Sequence, residues 1–279
     1  LIIEGMILAA FVSSAKQGII YLRAEYSYLQ KAIEKTIQKF YMENYLGNNI
    51  CGIKNFNFDI DVQLGAGAYV CGAETALIES IEGKRGEPRI RKYFPTEYGL
   101  FNKSTIVNNV ETFAMAARII ELGANYITAI GTEISKGTKL LSISGDVAKP
   151  GIYEIEWGTT IAEVLHLCQA TSPYFIQISG PSGECINNTE FQRKICKEDL
   201  ICGGSIMVFS KSRSILQILE NYIQFFKFES CGNCTPCRAG TQILYEKIKK
   251  LKKGICTQQD LDEITEWNAI MKLTSKCGL

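Results

Sequence analysis

Glu229-Ser230-Cys231-Gly232-Asn233-Cys234-Thr235-Pro236-Cys237-Arg238-Ala239-Gly240 sets three cysteines at C-x2-C-x2-C spacing, and a fourth, Cys277, stands near the end of the chain. A tight loop of that spacing can present three thiolates to three irons of a cubic [4Fe-4S] cluster, while a distant element closes the fourth corner. Folding must then carry Cys277 back to the loop. Gly232 and Gly240 are expected to let the backbone approach the inorganic sulfides, whose negative charge suits backbone N–H groups and the start of a following helix. Arg238 adds positive charge beside a site that gains an electron. Two other readings stay open. Structural zinc usually takes two separated C-x2-C knuckles, which three cysteines in one run fit poorly. Disulfides need an oxidising compartment, and cysteines three residues apart seldom bridge well.

Around that stretch the bulk numbers are ordinary. With 279 residues the chain is long enough for about two domains with full cores, and its apolar and charged fractions exclude disorder and collagen. Lysine plus arginine (30) nearly equals aspartate plus glutamate (29), so no global field argues for nucleic acid or an anionic membrane. Of eleven cysteines, Cys51, Cys71, Cys168, Cys185, Cys196, Cys202 and Cys256 show no ligand spacing and are expected to be small buried hydrophobes. No apolar run reaches about 18 residues, and the opening Leu1 to Val12 is interrupted by Glu4 and lacks the basic flank of a signal peptide. A soluble protein of a reducing compartment is expected. Both ends look cut, which points to a piece of a longer gene product.

Upstream of the cysteines, helices alternate with strands. Residues 1 to about 14 read as a helix with Ile3, Ile7, Ala10 and Phe11 on one side, followed by a strand from Gly18 to Leu22. A second helix is predicted from about Tyr26 to Leu46, with Leu29, Ala32, Ile33, Thr36, Ile37 and Phe40 as its buried stripe and Gly47 as its stop. Phe56 to Leu64 alternates with period two, as a half-buried strand does. This order argues for a layered α/β domain with a mostly parallel sheet. The strand runs into Gly65-Ala66-Gly67-Ala68-Tyr69-Val70-Cys71-Gly72-Ala73-Glu74-Thr75-Ala76-Leu77, a glycine turn opening a short helix that ends at Gly83. Such a turn lets a flat or anionic ligand touch the backbone at the carboxyl end of a sheet, although it is not G-x-G-x-x-G and could serve tightness alone. Lys84 to Thr112 is a long segment with little periodicity, a class that tends to be functional. Its cations (Arg85, Arg89, Arg91, Lys92) could hold a phosphate and its aromatics (Tyr93, Phe94, Tyr98, Phe101) could stack on a base, though singly each charge is more often just solvated.

A helix from Asn109 to about Leu122 leads into different texture. Strands over 139–144 and 151–155, a helix from Ile161 to Cys168 capped by Thr159 or Thr160, and strands near 175–179 and 205–209 suggest a small β-grasp-like module. His166, the one histidine, reads as a packing or surface residue. The remainder is helical. Ile215, Leu216, Ile218, Leu219, Tyr222, Ile223 and Phe226 form one apolar face, and Ile243, Leu244, Ile248 and Leu251 another. Thr257-x-x-Asp260 resembles a capping box for a last helix with Leu261, Ile264, Trp267 and Met271 inward. Antiparallel helices with short connections would return Cys277 to the Cys231 loop.

Three blocks, Gly65 to Leu77, Phe94 to Thr112, and Glu229 to Gly240 with Cys277, together resemble the NADH-binding flavoprotein (51-kDa, NuoF-type) subunit of respiratory complex I. The same module occurs in NAD-linked hydrogenases, formate dehydrogenases and electron-bifurcating enzymes. The resemblance spans essentially the whole chain. It implies an α/β FMN- and NADH-binding domain over 1–135, a ubiquitin-like β-grasp domain over 136–212, and a helical [4Fe-4S] domain over 213–279. It also implies that Gly65, Gly67, Tyr69, Gly72, Glu74, Asn108 and Asn109 line FMN, with Glu74 facing the nicotinamide and Phe94 stacking on the NADH adenine. Arg91 stands where the family usually carries a lysine near the nucleotide, and Cys231, Cys234, Cys237 and Cys277 hold the cluster.

Two departures accompany it. Gly72-Ala73-Glu74-Thr75 replaces the family's Gly-Glu-Glu-Thr, so the carboxylate missing at Ala73 bears on nucleotide affinity and NADH-over-NADPH preference. The family's main flavin loop, a Gly-Arg-Gly-Gly-Ala-Gly-Phe type stretch, and the acidic segment after it precede Leu1. The implied activity is hydride transfer from NADH to FMN and single-electron release through the cluster, ultimately to quinone, or within the diaphorase of an NAD-linked hydrogenase, formate dehydrogenase or bifurcating complex. The implied partners are 24-kDa-type [2Fe-2S] and 75-kDa-type iron-sulfur subunits. The implied location is the cytoplasm or mitochondrial matrix, peripheral on the inner membrane face through the complex, with no direct insertion. No general acid, base or nucleophile is demanded, in keeping with the absence of a Ser/His/Asp or Cys/His arrangement. Against this stand a relay or scaffold subunit without flavin, and a zinc-stabilised interaction module.

Overall fold

A computed structural model describes residues 1–90 and 92–279. The chain forms two compact units: Leu1–Glu121 with Glu229–Arg238 and Thr274–Cys277, and Leu122–Phe228 with Ala239–Leu273 and Gly278–Leu279.

In the first unit, β1 (Gln17–Leu22) and β2 (Asp59–Leu64) pair in parallel from Gln17 opposite Asp59 to Leu22 opposite Leu64. Parallel neighbours need a crossover, and α2 (Gln30–Met42) lies within it. With α1 (Ile2–Ser13) these elements bury Ile3, Met6, Ala10, Ile37, Phe58 and Ile60 in one core. The period-two pattern of the second strand is thereby explained, since Phe58 and Ile60 turn inward while Asp59 and Asp61 are exposed. Downstream come α3 (Glu74–Ile81), the one-turn α4 (Pro95–Tyr98) and α5 (Val110–Leu122). Gly5 is buried where α1 crosses α5: a Cβ there would lie 1.9 Å from the Phe113 carbonyl oxygen, which is backbone and cannot swing away. Gly5→Ala is therefore expected to cost about 1–3 kcal/mol of stability through overpacking, read as a lower thermal midpoint by circular dichroism. An unchanged midpoint would show that the two helices separate freely.

The second unit opens with α6 (Ala124–Thr128) and holds a mixed five-stranded sheet of β3 (Thr138–Gly145), β4 (Gly151–Glu156), β5 (Pro173–Ile178), β6 (Cys185–Asn187) and β7 (Ser205–Ser210). Its order is β4-β3-β7-β5-β6, with β3 and β7 parallel and the other pairs antiparallel. The helix α7 (Ile161–Leu167) shares one core with the sheet, where Ile161 and Val164 join Leu141, Ile176, Ile206 and Val208. This is the expected β-grasp arrangement. Thr160 supplies the cap: its hydroxyl accepts the Glu163 N–H at 3.2 Å and its own N–H donates to the Glu163 carboxylate at 2.8 Å.

Three helices follow, α8 (Ile215–Glu229), α9 (Thr235–Lys252) and α10 (Gln258–Thr274). Lys252 reaches back from α9 to Glu220 at 2.6 Å. Asp260 is buried at the start of α10, accepts the Thr257 N–H at 3.0 Å and pairs with Lys247 and Lys250. Those lysines, Lys247 first, hold its carboxyl well below the usual range.

Several expectations need correcting. The second helix is shorter than predicted, because a 3-10 stretch covers Ala24–Leu29 and Asn44, Gly47 and Asn49 take left-handed backbone beyond its end. Its stripe narrows to Ile33, Ile37 and Phe40, while Leu29, Ala32 and Thr36 are exposed. Met6 is buried in α1 where Phe11 was expected; Phe11 is 56% exposed and meets the edge of Phe56. Residues 56–58 lie outside the β1 ladder, since Phe58 bonds to Gly47 instead. Leu261, Ile215 and Leu219 are exposed. Of the non-ligand cysteines, Cys71, Cys168, Cys196 and Cys202 are buried as expected, but Cys51 and Cys185 are exposed and Cys256 is half-buried. Cys51 sits in a surface turn at φ 52° and Cys185 on a short edge strand, positions that cover no core.

Candidate flavin and iron-sulfur site

The glycine turn leaves the carboxyl end of β2 directly beside that of β1, with Gly65 N–H donating to the Leu22 carbonyl at 2.8 Å. Gly65 is glycine because Tyr21 lies beneath it: a Cβ would stand 2.4 Å from the Tyr21 hydroxyl, which meets Ser80 Oγ at 3.0 Å. Gly67 has φ +81°, and its α-carbon faces Ala24 and the Glu25 carboxylate. Gly72 differs from both. It is exposed, and a Cβ on it would meet nothing within 4 Å, so the backbone there fronts open space that a flat ligand could enter. A 3-10 turn, Tyr69–Gly72, brings the chain to α3, with Glu74 in that helix's first turn. Asn108 and Asn109 are exposed, and the Asn109 side-chain oxygen accepts the Glu111 N–H at 2.9 Å as a cap on α5.

The cysteine loop belongs to the same unit as this turn. Cys231 packs against Val70, Cys71 and Ala76, and the Glu229 carboxylate accepts the Tyr69 N–H at 2.9 Å. Two further bonds join the loop to the segment after α3: Arg85 donates to the Cys231 carbonyl, and Asn233 Nδ2 donates to the Glu87 carboxylate at 2.7 Å. Cys231, Cys234, Cys237 and Cys277 are all half-buried. The returning segment 274–277 belongs to this unit too, and Lys276 N–H points at Cys234 Sγ at 3.4 Å. Ser230 Oγ lies 3.3 Å from Cys237 Sγ. Gly232, at φ +74°, shapes the loop, whereas Gly240 serves a helix crossing: a Cβ there would lie 2.4 Å from Met271 Sδ. The expected sulfide approach at Gly240 is thus replaced by packing against α10.

In the cation-rich segment the structure separates the charges by task. Arg89 is engaged by Glu79 and by Glu82 at 3.0 Å, and its Nη1 donates to the Gly99 carbonyl at 3.3 Å. Arg85 holds the cysteine loop. Neither is thereby placed for a phosphate; Lys92 is exposed, and Arg91 lies outside the described residues. Lys84, Arg89, Lys92, Tyr93 and Tyr98 line a cavity of about 430 Å³, and Phe94, adjacent in sequence, is 64% exposed. Burial would raise the Glu82 pKa, but Lys84, the Phe101 N–H and Arg89 together hold it down to about 2. A lowered native pKa contributes stability at pH values above the unfolded glutamate value of about 4.3, lost as pH falls toward 2. Thermal midpoints measured from pH 6 to pH 3 should therefore fall less steeply in Glu82→Gln than in the unmodified protein. Parallel curves would remove Glu82 from the account.

A family profile for the Nuo51 FMN-binding domain matches residues 1–118, and one for the NADH-ubiquinone oxidoreductase-F iron-sulfur binding region matches residues 217–279. The chain belongs to this flavoprotein family. Among curated relatives, the NAD-reducing hydrogenase HoxS subunit alpha of Cupriavidus necator is 49% identical over 99% of this chain and 46% of its own length. The NADP-reducing hydrogenase subunit HndC of Solidesulfovibrio fructosivorans is 39% identical, over 100% and 59%. An NADH-quinone oxidoreductase subunit of Aquifex aeolicus is 37% identical, over 100% and 66%. The crystal structure of an NAD+-reducing [NiFe]-hydrogenase in the H2-reduced state matches at a TM-score of 0.92 and 39% identity, covering 99% of this chain and 48% of that one. The chain thus spans about half to two thirds of the relatives it matches.

The donors present fit a family [4Fe-4S] cluster. Four half-buried cysteines stand on one loop, the helix turn after it and one returning segment, with an amide directed at the Cys234 sulfur and the Ser230 hydroxyl 3.3 Å from that of Cys237. Among the described residues no three His, Cys, Asp or Glu side chains converge on a single point. A cube gives each thiolate its own iron and does not ask for the convergence that one zinc ion does. No disulfide is formed among the described cysteines. For FMN, the exposed Gly72 backbone and the glycine turn are compatible with a flat ligand. Of the residues that join turn and loop, Arg85 was expected from the sequence only as a candidate phosphate ligand, and Glu87, Glu229 and Asn233 carried no site expectation of their own. Their signal is weak there, because the partners lie 146 to 160 residues apart.

Proposed function

We propose that the protein oxidises NADH through bound FMN and sends the electrons singly through a [4Fe-4S] cluster to partner iron-sulfur subunits. The observation that carries this reading is the 2.9 Å bond from Tyr69 N–H to Glu229, which ties the glycine turn to the cysteine loop two residues before Cys231. When bound, the two groups supply hydride acceptance and one-electron uptake, so the chain supplies placement and electrostatics. In this reading Gly65, Gly67 and Gly72 admit the flavin to the backbone, and Tyr69, Glu74, Asn108 and Asn109 line it. Phe94 stacks on the adenine, Arg91 attends the nucleotide, and Cys231, Cys234, Cys237 and Cys277 hold the cluster.

Among the host assemblies the resemblance allows, the diaphorase of an NAD-linked hydrogenase is favoured over a quinone-reducing complex by 49% identity to the Cupriavidus protein against 37% to the Aquifex one. Partners of the 24-kDa and 75-kDa types, the division into domains at 1–135, 136–212 and 213–279, and a cytoplasmic or matrix location at the inner membrane face belong to the same proposal. Among the described residues no helix is long and apolar enough to cross a membrane. The test is acid-releasable flavin and NADH-to-ferricyanide activity on protein purified without oxygen. Bound FMN with activity is expected. Full iron with neither flavin nor activity would reduce the protein to an electron relay.

A further inference from the structure

The cysteine loop carries charged neighbours of both signs that come from residues far away in sequence. Arg85 donates to the Cys231 carbonyl, and its Nη2 would lie 3.9 Å from a Cβ on Gly232, so its guanidinium covers the Cys231–Gly232 peptide. Arg238, in the first turn of α9, donates to the next carbonyl, that of Gly232. Glu87 brings the opposite charge, held by Asn233 Nδ2 at 2.7 Å one residue before Cys234. Arg89 shows the contrasting case: its charge is matched by Glu79 in α3 and by Glu82 just after that helix.

We propose that Arg85 and Glu87 are positioning residues that set the reduction potential of the cluster held by the loop, Arg85 raising it and Glu87 lowering it. This rests on the reading of Cys231, Cys234, Cys237 and Cys277 as cluster ligands. Reduction adds one electron and one negative charge to the group at these thiolates. A cation fixed beside Cys231 favours that added charge, and an anion fixed beside Cys234 opposes it. Hydrogen bonding and net charge around the sulfurs are the protein's means of moving such a potential. Because Arg85 and Glu87 are bonded to the loop itself, each also holds the ligands in place. Docking and charge predict different results for the same substitutions.

The test is an anaerobic redox titration with dithionite and mediators, followed by electron paramagnetic resonance of the reduced cluster, in Arg85→Gln, Arg85→Lys and Glu87→Gln proteins. At a fixed potential, Arg85→Gln should lower the reduced-to-oxidised ratio roughly three- to tenfold, as loss of one partly solvated charge implies. Glu87→Gln should raise it, and Arg85→Lys should leave it within about twofold of the unmodified protein, since a lysine keeps the charge as a point donor. The shifts should shrink as salt is raised, because both residues are near solvent. Equal-sign shifts in Arg85→Gln and Glu87→Gln, or unmoved midpoints in both at full iron content, would overturn the proposal. If Arg85→Gln fails to retain iron, the rise in Glu87→Gln and the unmoved midpoint in Arg85→Lys decide, and a fall in the first or a shift beyond about twofold in the second overturns the proposal. Absence of a cluster from the unmodified protein would instead refute the ligand assignment itself.

Discussion

Cys277→Ser protein is expected to lose most of its iron and sulfide, and with them the resonance of a reduced [4Fe-4S] cluster, while the fold survives. The reason is positional. Cys231 and Cys234 come from one loop and Cys237 from the first turn of α9 that follows it, and the fourth corner depends on the segment 274–277, which returns to that loop and directs Lys276 N–H at Cys234 Sγ. A serine hydroxyl stays protonated where a thiol ionises, so it replaces the ligand poorly. Cys256→Ser is the control: its half-buried thiol, in the turn before α10, bonds to the Thr257 carbonyl and should leave the iron content unchanged. Full iron content in Cys277→Ser, or equal loss in Cys256→Ser, would show that the fourth ligand lies elsewhere.

Gly67→Val is expected to empty the flavin site and spare the cluster. At φ +81° a β-branched residue is strained by about 1–3 kcal/mol, and its side chain would press on Ala24 and the Glu25 carboxylate, both within 4 Å. If the turn relaxes to escape that strain, the Tyr69 N–H leaves Glu229 and the backbone facing the ligand moves. At about 1.4 kcal/mol per tenfold, affinity for FMN should fall by roughly five- to a hundredfold. Flavin released by acid, measured beside iron in one preparation, reads this directly. Loss of both groups together would mean that turn and loop fold as one unit; retained flavin would remove Gly67 from the site.

How much of this was legible beforehand depended on the range of each interaction. The β-grasp strands and the capping pairs Thr160 with Glu163 and Thr257 with Asp260 arise within a few residues, so period and cap chemistry revealed them. Phe94 to Thr112 hid the helix α4 because four residues carry no periodicity. The cysteine spacing announced a cluster, yet spacing has nothing to say about which residues surround it. Arg85 and Arg89 look alike in the sequence, and only the folded chain sends one to the Cys231 carbonyl and the other to two glutamates. Gly232 and Gly240 likewise share a motif but not a purpose, one bending the loop and the other admitting Met271.

The measurement that goes most directly to the central claim is electron paramagnetic resonance of the anaerobically purified protein, frozen after NADH is added as the sole reductant. A turn and a loop joined through Tyr69 and Glu229 predict a [4Fe-4S] signal that grows with NADH and is absent from Gly67→Val protein lacking flavin. A protein holding both flavin and iron whose cluster stays silent with NADH, yet reduces with dithionite at a potential NADH can reach, would contradict the account.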